Sequence, residues 1–81
     1  MDRASARMHH PSYTPDRVGR HLREVRLHGG LSQGELEELT GIPKERISRY
    51  ENGHVQARIE NIARLVGPCG MDLATFVRGL E

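Results

Sequence analysis

Eighty-one residues carry 12 Lys and Arg against 11 Asp and Glu, a formal net charge of +1, which excludes a polycation that grips acidic polymers by bulk charge. Hydrophobic residues make up 36% and aromatics 4%, with no Trp; that composition suits one small helical bundle built on Leu, Ile and Val, with no room for a separate effector domain. The single Cys69 excludes an internal disulfide and reads as a small buried apolar residue in a reducing compartment.

No apolar run approaches the roughly 20 residues needed to span a bilayer. The N-terminus also lacks the apolar segment of a secretion signal. A cytoplasmic chain without membrane contact is therefore expected. There is no Gly-rich phosphate loop, no nucleophile–base pair and no metal-ligand spacing, so no enzyme activity, no cofactor and no metal are expected.

In chain order, residues 1–15 mix charge, small polar residues and prolines with no apolar period, and read as a flexible, disordered N-terminal arm. Its Arg3 and Arg7 either reach a phosphate or a minor groove or belong to a solvated tail. The adjacent His9 and His10 lack the further ligands a metal site requires. A first helix is expected from Pro15 or Asp16, with Thr14 as N-cap and Pro15 at the first helical position. Val18, Leu22 and Val25 recur along it at helical spacing, and Gly29-Gly30 ends it.

The second helix starts at Ser32, with Glu35 three residues later completing a capping box. Leu31 before the cap and Leu36 one turn in make a hydrophobic staple, and Leu36 with Leu39 is expected to form the core face. Gly41 ends this helix. A third follows from Pro43 or Lys44 to Asn52, anchored by Ile47 and Tyr50, with Ile42 packing from the turn. Lys44, Glu45, Arg46, Ser48 and Arg49 point elsewhere, which makes the helix either an ordinary solvated surface helix or a reading head. After a polar loop over 54–58, Ile59, Ile62, Ala63, Leu65 and Val66 give the fourth helix a broad apolar face, stopped by Gly67-Pro68. Asp72 caps a fifth carrying Leu73, Phe76, Val77 and Leu80. Short helices joined by a tight turn from Leu31 to Gly53 have the spacing of a helix-turn-helix, which places its second helix in the DNA major groove.

From about Val18 to Val77 the chain resembles the phage-repressor/Cro-type (XRE-like) helix-turn-helix family. The resemblance rests on Arg26, Leu31-Ser32-Gln33, Glu35-Leu36, Gly41-Ile42, Ile47-Ser48, Glu51-Asn52-Gly53 and Gly70, together with an Ile/Leu-rich fourth helix. It implies an all-α, compact five-helix, lambda-repressor-like bundle over residues 16–81, following the arm over 1–15. It also implies roles. Gln33 matches a position that contacts a phosphate and braces the recognition helix; Lys44, Glu45 and Arg49 match positions facing base edges. Arg46, Ser48 and Asn52 match positions that touch the sugar-phosphate backbone. Arg26 and Glu51 match a pair bridging the first helix to the end of the third. Chemistry supports the division, since Arg and Lys pair with guanine O6 and N7 and a carboxylate accepts from cytosine N4. Glu45 is either such a cytosine reader or an i,i+4 partner of Arg49.

The chain departs from the family at Glu37, where a small residue is usual, so this side chain must extend outward or pair with a basic residue of the third helix. It departs also at Thr40, usually apolar, at Pro43, which offers no hydroxyl cap, at Ala57-Arg58 and at Pro68. The expected function is a sequence-specific transcriptional regulator that binds double-stranded DNA as a homodimer on a palindromic operator. The alternative is an antitoxin-like or adaptor module whose main partner is another protein. Met71, Leu73, Phe76, Val77 and Leu80 serve either as a dimer face or simply to close the core.

Overall fold

The fold is built around the first helix, α1 (Pro15–His28), which touches the third, fourth and fifth. The structure is a computed structural model and describes residues 13–81. After α1 come α2 (Gln33–Thr40), α3 (Lys44–Glu51), α4 (Ile59–Val66), a short 3-10 turn (Gly67–Cys69) and α5 (Leu73–Leu80). The arm's Arg3, Arg7, His9 and His10 lie outside the described residues. Among the described residues the five-helix, all-α expectation holds.

Local chemistry explains where each helix starts. The Thr14 hydroxyl accepts from the Arg17 N–H (3.3 Å), with Pro15 in the first turn, where a missing N–H costs nothing. Ser32 Oγ accepts from the Glu35 N–H (3.0 Å) while Glu35 Oε1 accepts from the Ser32 N–H (2.8 Å), the reciprocal box the sequence calls for. Asp72 Oδ1 accepts from the Thr75 N–H (2.8 Å).

Two of these caps titrate. The Ser32 backbone N–H and hydroxyl hold the Glu35 carboxyl below its usual range, and the Thr75 N–H and hydroxyl do the same for Asp72. A carboxyl whose folded pKa is depressed stabilises the fold above the ordinary range of about 4, and that contribution is lost as pH falls through the lowered values. The melting midpoint should therefore drop on acidification. Glu35→Gln and Asp72→Asn retain a capping side chain but do not titrate, and should each flatten that drop in a pH series of thermal melts.

The core is one cluster: Val18, Leu22 and Val25 from α1, Leu36 from α2, Ile42 from the turn, Ile47 and Tyr50 from α3, Ile62, Leu65 and Val66 from α4, and Phe76 and Leu80 from α5. Three positions differ from the expected faces. Leu39 is 61% exposed, so Leu36 is the apolar anchor of α2. One residue of eight suffices there, because α2 is also tied by polar contacts described below. On α4, Ile59 (59% exposed) and Ala63 face outward. The helix docks on the narrower i, i+3, i+4 stripe of Ile62, Leu65 and Val66, and Ala57 from the preceding loop is buried in the same core. Phe76 and Leu80 are buried and close the core, whereas Met71, Leu73 and Val77 are half-buried.

Pro68 does end α4, but by converting the chain into the 3-10 turn that Gly70 then terminates. Cys69 lies in that turn, partly exposed, donating weakly from Sγ to the Leu65 carbonyl at 3.5 Å; partial burial pushes its thiol pKa up. It is therefore a part-buried packing residue, less enclosed than the sequence suggests.

Candidate nucleic-acid interface

The segment from Ser32 to Gly53 forms two helices joined through Gly41, whose φ of +77° is left-handed and which donates its N–H to the Glu37 carbonyl at 2.8 Å. Thr40 gives the turn a second tie. Its hydroxyl donates to the Leu36 carbonyl (2.7 Å) and accepts from the Ile42 N–H (3.1 Å), so this hydroxyl, unusual at an expected apolar position, secures the chain reversal. Arg64 of α4 also donates to the Thr40 carbonyl, which holds the C-terminal end of α2. Ile42 then plugs the core at 2% exposure and fixes where α3 begins.

No side chain caps α3 at Pro43, as expected of proline; the Pro43 carbonyl accepts from the Arg46 and Ile47 N–H groups (2.9 and 3.0 Å). At the other end the Gly53 N–H bonds the Tyr50 carbonyl (3.1 Å) and the His54 N–H bonds the Arg49 carbonyl (3.0 Å). That pair is a Schellman closure, made possible by a φ of +74° at Gly53. Ile47 and Tyr50 bury one side of α3, at 1% and 6% exposure, and so fix which side faces outward.

The orientation of α3 is set by one carboxylate. Glu51 Oε2 accepts from Arg26 Nε (2.7 Å), and Glu51 Oε1 accepts from Arg26 Nη2 (2.9 Å) and from Gln33 Nε2 (3.0 Å). Arg26 Nη1 donates further to the Leu31 carbonyl (2.9 Å). The two side chains are 9% and 4% exposed, and the Glu51 hydrogen bond raises the Arg26 pKa while burial opposes it. A bidentate arginine fork is geometrically demanding. Here it joins α1 and the end of α3, and Gln33 adds α2 to the same knot. Desolvation offsets much of the attraction in such a pair, so its net stabilisation is small while its directional constraint is large.

Outward from this scaffold, Lys44, Glu45, Arg46, Arg49 and Asn52 are exposed, and Ser48 and Gln33 are half-buried. Three cations and one carboxylate thus share the open surface of α3 up to Arg49. Among the described residues the ion pairs are Arg26–Glu51 and Arg58–Glu60, so Glu45 and Arg49 do not pair with each other, and the half-buried Glu37 makes no ion pair with a basic residue of α3. Ser48 and Asn52 are tied together: Asn52 Nδ2 donates to the Ser48 carbonyl (2.9 Å) and lies 3.3 Å from its hydroxyl. Gln33 is committed to Glu51, which is the bracing half of its expected role.

A feature that sequence reasoning missed lies beside α3. Pro43, Glu45, Arg46, Arg49, Tyr50 and Val55 line a shallow concavity of about 410 Å³. Its signal in the sequence was slight, a single Val in an otherwise polar loop. Far from it, Tyr13 Oη donates to Glu81 Oε2 (2.7 Å), an acceptor that raises the tyrosine pKa, and Arg17 donates to the Leu80 carbonyl (3.4 Å); both hold the start of α1 to the end of α5.

A bundle of this helix order, with a glycine turn between α2 and α3 and a buried Arg–Glu lock, defines a helix-turn-helix domain. The helix-turn-helix family model matches residues 22–76, and the chain belongs to this family, in its phage-repressor/Cro branch. The chain is 32% identical over 60 residues, 74% of its length, to a Pyrobaculum aerophilum protein named as an HTH-type transcriptional regulatory protein. It is 36% identical over 45 residues, 56% of its length, to a Haemophilus influenzae protein named as an HTH-type transcriptional regulator. The matched segments span 24% and 46% of those relatives' own lengths. No solved structure matches the chain closely. No helix among the described residues is long and apolar enough to cross a membrane.

Proposed function

We propose that the chain is a sequence-specific, DNA-binding transcriptional regulator that inserts α3 into the major groove and acts as a homodimer on a palindromic operator. The observation that carries this reading is the combination at α3: an exposed surface of Lys44, Glu45, Arg46 and Arg49 on a helix locked from behind by the buried Arg26–Glu51–Gln33 knot. A solvated surface helix has no need of such a lock. Lys44, Glu45 and Arg49 face base edges; Arg46, Ser48 and Asn52 lie along the backbone, and Gln33 adds a phosphate contact at the start of α2. With Arg49 unpaired to it, Glu45 is available to accept from cytosine N4. A net charge of +1 argues for a dimer, because affinity grows with the number of phosphates neutralised. The protein works in the cytoplasm, without cofactor, metal or catalysis.

The test uses duplex DNA selected by the protein from random sequence. Binding to the selected site should weaken steeply as salt rises. Arg49→Ala should cost about 1–3 kcal/mol and relax preference at one base position, whereas Gln33→Ala should weaken all sequences alike. Equal, sequence-blind losses from both variants would show that α3 does not read bases through Arg49.

A second reading, an antitoxin-like or adaptor module held by a protein partner, is favoured by a separate apolar groove of about 300 Å³ between α1, α4 and α5, rimmed by exposed Ile59. In the regulator reading the same groove is the meeting face of the two copies. A stable heteromeric complex with no affinity for any selected DNA is the result that would favour the adaptor.

A further inference from the structure

Val55 is out of place by solvation alone. It is a β-branched apolar residue, 38% exposed, in the loop after α3, and it lines the same concavity as Glu45, Arg46 and Arg49. Apart from Tyr50, which is 6% exposed, the other apolar side chain of that wall is the exposed Pro43 at the start of α3. The loop position is not free to wander. The Gly53 and His54 amides close onto the Tyr50 and Arg49 carbonyls (3.1 and 3.0 Å), and Gly53 lies against Asp16 of α1, where a Cβ would be 3.2 Å from the Asp16 Cα. Val55 therefore stands two residues past a fixed turn, beside the exposed cations Arg46 and Arg49.

We propose that Val55 is a further specificity-determining residue: with Pro43 it forms an apolar wall that contacts the C5-methyl group of a thymine neighbouring the base pair read by Arg49. This rests on the DNA-reading function proposed above and adds a chemical preference to it. In the major groove thymine differs from the other bases by presenting that methyl beside its O4 acceptor, and apolar side chains are what recognise it. The charged groups around the concavity supply hydrogen bonds to guanine, cytosine or phosphate, and none of them rewards a methyl. Val55 and Pro43 do, because contact removes apolar surface of both partners from water.

Uracil substitution isolates the effect, since it deletes the methyl and leaves every hydrogen-bonding group of thymine in place. On the selected duplex, replacing thymines one at a time by deoxyuridine should weaken the wild-type protein about fourfold at one position per half-site, the scale of one buried methylene. In Val55→Ala that penalty should shrink to less than about twofold, with the other thymines unaffected in both proteins. The inference is overturned if no uracil position weakens the wild type, if the penalty is the same in Val55→Ala, or if the selected site has no thymine beside the Arg49-dependent base pair. Failure of the protein to select any DNA is a different result, which removes the regulator reading itself and this inference with it.

Discussion

Arg26→Met should destabilise the domain by about 3–5 kcal/mol, because it strands a carboxylate in a buried site. Glu51 accepts from Arg26 Nε and Nη2 and from Gln33 Nε2, and its side chain is 4% exposed, so removal of the guanidinium leaves it one neutral side-chain partner. A domain of this size has about 5–15 kcal/mol to lose, so the expected change is a large fraction of the total. Denaturant unfolding followed by circular dichroism measures it directly. The double variant Arg26→Met/Glu51→Leu separates the two roles of the pair. Replacing both charges with apolar side chains of similar size should recover most of the stability, because the cost of burying ions disappears. Affinity for the selected operator should not recover, because the fork that aims α3 is gone. Full recovery of operator affinity in the double variant would mean that the lock serves stability and not orientation.

Gly19→Ala should reverse the usual sign of its substitution class. In a helix interior such a change ordinarily stabilises by up to about 1 kcal/mol. Here Gly19 lies in the middle of α1 and buried, and a Cβ on it would run into the Tyr50 carbonyl and reach 2.9 Å from the Glu51 carbonyl oxygen. Both are backbone atoms at the end of α3 and cannot rotate away. The helices must separate, and overpacking of this kind costs about 1–3 kcal/mol or more. A net loss of about 2 kcal/mol or more is expected, accompanied by weaker operator binding, since the displaced atoms belong to the reading helix. Gly34 of α2 is the control: a Cβ there meets only Ser32 Oγ, at 3.8 Å, so Gly34→Ala should be neutral or stabilising. Equal effects at the two positions would contradict the close crossing of α1 and α3.

These cases show which parts of the molecule can be read from residues and which cannot. The Thr14, Ser32–Glu35 and Asp72 caps and the Gly41 turn were legible because each is a contact within a few residues, between groups whose chemistry allows little else. The anchors Ile47 and Tyr50 were legible for a related reason, since α3 offers nothing else apolar to bury. Leu39 and Ile59 were misassigned because periodicity shows that a stripe exists but not how wide a strip its neighbour covers. Ala57 was missed because a buried loop alanine has no periodicity at all. Gly19 carried no signal, as a close approach of two backbones is a property of the tertiary crossing.

The candidate interface divides similarly. The family pattern anticipated the Arg26–Glu51 bridge, and the structure adds that Gln33 shares the same carboxylate, so three helices meet at one side chain. Thr40 read as a departure, yet its hydroxyl ties the turn that the departure put in question. The Val55 concavity depends on where the loop after α3 folds back, which the Gly53 turn and its contact with Asp16 decide together.

The most direct test of the central claim is selection of duplex DNA from a random-sequence pool by the purified protein, read by sequencing over successive rounds. The account predicts convergence on a two-fold symmetric consensus, with half-sites separated by about one helical turn, roughly 34 Å, and a preferred base pair that is lost with Arg49→Ala. A pool that stays random under conditions where the protein is folded would contradict it.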